Sequence, residues 1–182
     1  LLSVASVVLV FSLSMFIFKD RMSAFLSAFV ASIYPHFLFY SVSGLTEVLY
    51  TFLLLLCFLF FYRKYFFFAI IVSILAILVR PTLDFLNPIL IILFIGFVHK
   101  SGWRVVVKYL GVYFIVYVTI LTPWWVHQYQ KYGEFVRLNL ADGIVLYSGN
   151  NPLNKTGGGI VGVDVDMSVF SHENDPLIKN KK

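Results

Sequence analysis

The chain has 182 residues, of which 60% are hydrophobic and 13% are charged, with a mean hydropathy of +0.88 and a net charge of +5. Such values lie outside the range of soluble globular domains and predict an integral membrane protein. The basic residues lie in short clusters between apolar runs, as membrane topology signals do, so we predict no nucleic-acid partner. The lone cysteine, Cys57, excludes an intrachain disulfide.

Six apolar runs are predicted to be membrane-spanning helices. A bilayer core about 30 Å thick takes about 20 helical residues, or a few less where flanking groups reach the interface. In chain order the runs are residues 1–18, 22–40, 46–62, 65–79, 82–98 and 105–121. They predict an all-α polytopic membrane protein whose transmembrane bundle covers residues 1–122. Pro35 and Pro88 lie inside two of the runs and predict bends there.

The connections between the runs alternate in charge. Lys19–Arg21, Arg63–Lys64 and Lys100–Lys108 are basic, which predicts that they face the cytoplasm. The remaining connections, which carry Glu47 and Arg80, then face the opposite side together with the C-terminal segment. This grouping uses charge alone, and it collects nearly all the polar residues that could take part in chemistry.

Arg80 lies between two long apolar runs and is followed by Pro81, which favours the first turn of a new helix. A charged side chain at membrane depth costs about 2.5–3.5 kcal/mol on insertion scales, and such residues commonly mark functional sites. The run before Arg80 is about 15 residues long, or roughly 22 Å, which predicts that Arg80 lies in a recess. There it could clamp a phosphate. The alternative is an ion pair with Asp84, four residues on, or snorkelling to the interface.

Glu47 follows Thr46 at the start of the third run. One interpretation is structural, because Thr is a good N-cap and an acid in the first turn complements the helix dipole. The other is a polar role in an outer cavity, where the carboxylate orients an acceptor or balances Arg80.

The C-terminal segment, residues 123–182, is more polar and is predicted to be an extracytoplasmic, mixed or β-containing segment that is incomplete. Residues 133–140 alternate in polarity as a short strand does, and 149–152 form a turn pattern. Asp164 and Asp166 would share one strand face, for which a solvated surface is the commoner explanation than a metal pair. We therefore predict no metal site.

Four stretches, taken in order, resemble a known family. They are YPHFLFYSVSGLTEVLYTFLLLL, LAILVRPT, TPWWVHQYQKYGEFVRL and GIVLYSGNNPLNKTGGG. Together they are similar to the middle of the bacterial polytopic glycosyltransferases of the GT-C class, akin to protein O-mannosyltransferases, the aminoarabinose transferase of lipid A and the lipopolysaccharide-core glycosyltransferases of rhizobia. The resemblance covers about residues 25–159. It implies inverting transfer of a sugar from a polyprenyl-phosphate donor to a glycolipid, polysaccharide or protein acceptor, on the periplasmic face of the bacterial cytoplasmic membrane.

The resemblance also implies residue roles. Arg80 matches an arginine that contacts the lipid phosphate, Glu47 matches a polar residue of the same cavity, and Asn150 and Asn151 match a loop packed over the site. The catalytic Asp of the family lies in an earlier outer loop, so the general base is expected outside this chain, with Glu47 as a second candidate. The fragment alone is expected to be inactive. No cofactor is implied, although a divalent cation is left open.

Two further points limit this expectation. The family has Arg-Asn-Tyr shortly after its Pro-Trp pair, where this chain has His127–Tyr129, so no phosphate role is expected there. A transporter or flippase for a lipid-linked anion is the rival, since it could also use a recessed arginine and broken helices. A structural subunit without a site is the third alternative.

Overall fold

The structure, a computed structural model, describes residues 1–43, 46–133, 135–138, 150 and 154. These residues are mostly helical and contain no strand, so the all-α prediction is confirmed at this level. The α-helices are α1 (Leu2–Phe18), α2 (Arg21–Ile33), α3 (Pro35–Ser43), α4 (Thr46–Tyr62), α5 (Phe66–Val79), α6 (Asn87–Ile91) and α7 (Trp103–Tyr132). The chain divides into two compact units, Leu1–Thr122 and Pro123–Lys182.

Lysines in a left-handed conformation lie in all three basic connections. Lys19 ends α1 with φ 54°, Lys64 follows α4 with φ 63°, and Lys100 precedes α7 with φ 50°. This conformation costs a non-glycine residue roughly 1–2 kcal/mol, so it is adopted where the chain must turn sharply. The apolar runs end at these turns, which explains why α1 and α4 stop, and why α5 starts, close to the limits of the runs.

Asp20 caps the helix that follows the first of these turns. Its carboxylate Oδ2 accepts hydrogen bonds from the backbone N–H and the hydroxyl of Ser23, each at 2.7 Å. The backbone N–H of Ser23 is the largest cause that lowers the pKa of the Asp20 carboxyl below its usual 3.8, followed by the Ser23 hydroxyl. The N-terminus of α2 is therefore fixed by a charged cap.

The second apolar run is bent at its proline. α2 ends at Ile33, Tyr34 is extended, and α3 begins at Pro35 with a change of direction of 54°. A residue that precedes proline is pushed out of the helical region, and proline suits the first turn of a helix. The bend predicted at Pro35 is confirmed.

The fifth apolar run does not form the single helix predicted over residues 82–98. Pro81–Leu83 forms a 3-10 turn, and α6 begins only at Asn87 before continuing as the π-helical segment Ile92–Val98. Pro88 therefore lies in the first turn of a helix and does not bend one, which corrects the second predicted bend. The physical reason is that a proline lacks an N–H and has a fixed φ, both of which suit a helix start.

The last run is also longer than the predicted residues 105–121. α7 has 30 residues, contains Pro123 and ends at Tyr132. Gly133 follows it with a φ of 69°, and its backbone N–H donates to the Tyr129 carbonyl oxygen, which is a glycine cap at the C-terminus of the helix. The predicted end of the last run at residue 121 is therefore wrong. Beyond the helix, the indole N–H of Trp125 donates to the Arg137 carbonyl oxygen at 2.8 Å. Of the predicted strand 133–140, residues 133 and 135–138 are described and contain no strand, while 134, 139 and 140, like all of 155–182, lie outside the described residues.

α7 is the one helix in the described ranges that is long and apolar enough by itself to cross a membrane. The bent pair α2–α3 also passes when it is counted as a single span. The other apolar helices are shorter, namely Leu2–Phe18, Thr46–Tyr62, Phe66–Val79 and Asn87–Val98. The structure thus establishes an apolar helical protein with one clear candidate span.

Within the first unit, α4 packs on α5, and α1 packs on both α2 and α4. The fully buried side chains are mainly on α4, α5 and the helix after them: Cys57, Phe61, Ile70, Ile74, Ile77, Ile91 and Ile95. The Cys57 thiol is 3.6 Å from the Ala69 carbonyl oxygen and joins α4 to α5. This packed hairpin carries Glu47 in the first turn of α4 and Arg80 at the end of α5.

Candidate functional site

Arg80 lies at the end of α5 in an extended conformation, with φ −147° and ψ 122°. Its backbone N–H still donates to the Ala76 carbonyl oxygen at 2.9 Å, so Arg80 closes the last turn of the helix. Pro81 disfavours helical backbone at the preceding residue, and this is why α5 stops here. The local sequence therefore places Arg80 at a helix end.

Glu47, in the first turn of α4, pairs with Arg80. The distance from Arg80 Nη1 to Glu47 Oε1 is 3.2 Å, and the two side chains are 46% and 26% exposed. The carboxylate also complements the positive end of the α4 dipole. The structure thus brings together two predicted site residues, and in the described part of the chain Arg80 pairs with Glu47 and not with Asp84.

The ion pair is incomplete on the carboxylate side. Glu47 Oε2 is buried, and no hydrogen-bond partner for it occurs among the described residues. The carboxylate therefore meets the guanidinium through Oε1 alone, whereas the strongest arginine–carboxylate pairs use two parallel hydrogen bonds.

Two buried polar contacts hold the segment that follows Arg80. The Tyr117 hydroxyl donates to Asp84 Oδ1 at 2.7 Å, and the Asn87 amide donates to the Ser73 hydroxyl oxygen at 2.9 Å. Ser73 in turn donates to the Ile70 carbonyl oxygen at 2.8 Å. Sequence reasoning missed Ser73, Asn87 and Tyr117. The signal available was the presence of hydrogen-bonding side chains inside apolar runs, where they need partners.

The basic connections meet at the opposite end of α4. The Arg63 guanidinium lies over the Phe16 ring at 5.1 Å, and His99 Nε2 is 2.7 Å from the Phe61 carbonyl oxygen. Glu47 is about 22 Å from this end at the helical rise per residue. Apart from Arg80, every Lys and Arg among the first 122 residues belongs to the basic connections. The first unit thus has a basic end and an end with the Arg80–Glu47 pair.

The other predicted site residues fall in the second unit. Asn150 is exposed and has helical backbone, and Asn151 lies outside the described residues, as do Asp164 and Asp166. In the part of the chain that the structure describes, no group of three or more His, Cys, Asp or Glu side chains could hold a metal ion.

An apolar cavity of about 290 Å³ opens between α1, α2, α3 and α4. Its lining carries no charge: Ser6, Val7, Val10, Ser27, Val30, Ala31, Tyr34, Phe37, Thr51 and Leu55. The Ser6 and Ser27 hydroxyls donate to carbonyl oxygens of their own helices, at 3.0 and 2.8 Å. These hydroxyls leave the cavity suited to hydrocarbon and not to ionic chemistry.

Fold and site together define an apolar helical protein with a half-exposed arginine–glutamate pair at one end of a helical hairpin. No protein-family model, curated protein or solved structure matches the chain.

Proposed function

We propose that this chain is part of a polytopic membrane glycosyltransferase of the GT-C kind, which transfers a sugar from a polyprenyl-phosphate donor to an extracytoplasmic acceptor. The observation that carries the proposal is the Arg80–Glu47 pair. In this pair, Arg80 lies at the end of a short apolar helix, is partly exposed, and contacts a single oxygen of the Glu47 carboxylate. Such an arginine has donors left for a phosphate.

Membrane insertion is supported by the surfaces of the helices. Large apolar side chains are exposed along α1, α2, α5 and α7. Hydroxyl groups within the helices return their hydrogen bonds to the preceding turn, as Ser12 does to Val8 and Thr119 does to Ile115. This arrangement satisfies a hydroxyl where water is absent. In this proposal the six spans are α1, the bent α2–α3 pair, α4, α5, Asn87–Val98 and α7.

The distribution of charge supports an orientation. Basic residues collect on the cytoplasmic side of membrane proteins, which assigns the Arg63 end of α4 to the cytoplasm. The opposite end, with Arg80 and Glu47, then faces the periplasm of a bacterial cytoplasmic membrane. Lipid-linked sugars and their acceptors would be used on that face.

In the proposed reaction an acceptor oxygen attacks C1 of the sugar while the bond from C1 to the phosphate oxygen breaks. The phosphate leaves with the electron pair, and the acceptor proton goes to a general base, for which a carboxylate outside this chain is proposed. Arg80 would stabilise the charge that grows on the leaving phosphate, a role commonly worth about 3–4 kcal/mol. Glu47 is the second candidate for the base.

A transporter for a lipid-linked anion is the alternative function. The observation that favours it is the broken helices, at Tyr34 before α3 and at the turn before α6. Transporters build substrate sites at such breaks. It differs from the enzyme in its product, because a transporter moves the lipid without cleaving its glycosyl phosphate.

The experiment is sugar transfer by the full-length protein in lipid vesicles, with a polyprenyl-phosphate sugar as donor. Arg80→Gln is expected to lower kcat at least 100-fold, in line with the loss of one charge-stabilising group. Arg63→Gln is the matched control at the basic end and should keep wild-type activity. Wild-type transfer by Arg80→Gln would refute the phosphate role. Movement of the donor without any transfer would refute the enzyme and favour the transporter.

A further inference from the structure

The two halves of the Arg80–Glu47 pair are each left with capacity for a ligand. A guanidinium has five N–H donors, and Glu47 Oε1 is the one acceptor that pairs with Arg80 in the described residues. Glu47 Oε2 is a buried acceptor that has no hydrogen-bond donor among the described residues. A ligand that completes both presents an anionic oxygen and an O–H or N–H hydrogen close together.

A glycosyl phosphate has this combination. Its phosphate is attached at C1 of the sugar, and the neighbouring carbons carry hydroxyl groups. A simple phosphate ester of a lipid supplies the anionic oxygen but no hydroxyl. We propose that Arg80 and Glu47 recognise a glycosyl phosphate as one unit, with the phosphate on Arg80 and a sugar hydroxyl donating to Glu47 Oε2.

This role of Glu47 rests on the proposed function and adds the specificity-determining residue to it. In the proposed complex the carboxylate stays on Arg80. A sugar hydroxyl between Glu47 and the phosphate separates two negative groups that would otherwise repel each other. The two side chains are 46% and 26% exposed, so a headgroup reaches the pair, and Glu47 Oε2, buried in this structure, is presented to it when the carboxylate turns about its last side-chain torsion.

The test is binding to the full-length protein in nanodiscs. The ligands are hexosyl and pentosyl phosphodiesters of farnesol, with methyl farnesyl phosphodiester as a control of equal charge that lacks the sugar hydroxyls. Wild type should bind at least one glycosyl diester about 10- to 100-fold more tightly than the methyl diester, the range of a hydrogen bond to a charged group. Glu47→Leu should abolish this preference and leave binding of the methyl diester within about threefold of wild type.

Several outcomes would overturn the proposal. If Glu47→Leu weakened both diesters equally, Glu47 would only orient Arg80. If it tightened the methyl diester, Glu47 would be a competitor of phosphate. Wild type without a preference for any sugar would also overturn it. Glu47→Gln, which keeps the shape of the side chain, replaces Glu47→Leu if the latter does not fold, with the same expected loss of preference.

Other arms distinguish this failure from failure of the proposed function. Arg80→Gln should weaken the methyl diester and the glycosyl diester alike, and an unchanged affinity would refute the phosphate role itself. A water-soluble methyl glycosyl phosphate that bound as tightly as the lipid-linked form would refute the lipid part of the proposed function while leaving the role of Glu47 intact. Asp20→Asn, a carboxylate change at the basic end, should affect none of these affinities.

Discussion

The hydrogen bond between Asn87 and Ser73 is expected to hold the turn that carries Arg80 onto α5. Asn87 is 0% exposed, and its amide nitrogen lies 2.9 Å from the Ser73 hydroxyl oxygen. Asn87 Oδ1 is buried and has no partner in the described residues. Removing the Ser73 hydroxyl would therefore leave the whole amide without partners, while replacing the amide with an apolar group would remove the need for them.

The expected magnitudes follow from that asymmetry. Ser73→Ala should destabilise the protein by about 1–2 kcal/mol, because a buried donor loses its acceptor in a setting where interhelical bonds are worth up to about 1.7 kcal/mol. Asn87→Leu should lie within about 1 kcal/mol of wild type, because it removes an amide that is only half satisfied and keeps the branching and the number of side-chain heavy atoms. In the double variant the cost of Ser73→Ala should fall to nearly zero.

The assay is thermal unfolding in detergent, followed by the reaction of the Cys57 thiol with a fluorogenic maleimide. Cys57 is the single cysteine and is fully buried, so its reactivity reports unfolding. A loss of 1–2 kcal/mol corresponds to a fall in Tm of about 2–8 °C for a chain of this size. Ser12→Ala, which removes a hydroxyl bonded within α1, is the matched control. If Ser73→Ala costs the same with and without Asn87→Leu, the reasoning is wrong.

Three further predictions concern topology, pH and the bend. In vesicles of known orientation and a cysteine-free background, Val42→Cys should react from the periplasmic side and Lys64→Cys from the cytoplasmic side, and the reverse pattern would contradict the proposed orientation. The pKa of Asp20, followed by carbon NMR, should lie below 3.8, since the Ser23 N–H stabilises the charged form. Because the folded pKa is lowered, the stabilisation by this cap is present above pH about 4 and is lost as the pH falls through the folded pKa; a stability difference between wild type and Asp20→Asn that stayed the same across that range would contradict it. Pro35→Ala should reduce the 54° bend, measured by spin-label distances between α2 and α3, and an unchanged bend would show that packing and not proline causes it.

Local chemistry made part of the fold predictable. α1, α4 and α5 are apolar runs that stop at turns with lysine or arginine, and the bend before α3 follows from a proline and the residue before it. Pro88 and Pro123 could not be interpreted in the same way. A proline is accepted at a helix start, and it is also accepted inside a long helix when packing holds the chain, so its neighbours in sequence do not decide between the two.

The choice of partner for Arg80 shows the same limit at the site. An ion pair with Asp84 four residues on requires a continuous α-helix from one residue to the other. Pro81 makes the backbone of Arg80 extended, and the following residues form a 3-10 turn, so that spacing no longer places the two side chains together. Asp84 instead accepts a hydrogen bond from Tyr117, while Arg80 reaches Glu47 across the hairpin. The proline that ends α5 therefore also leaves the arginine to a carboxylate that is distant in sequence.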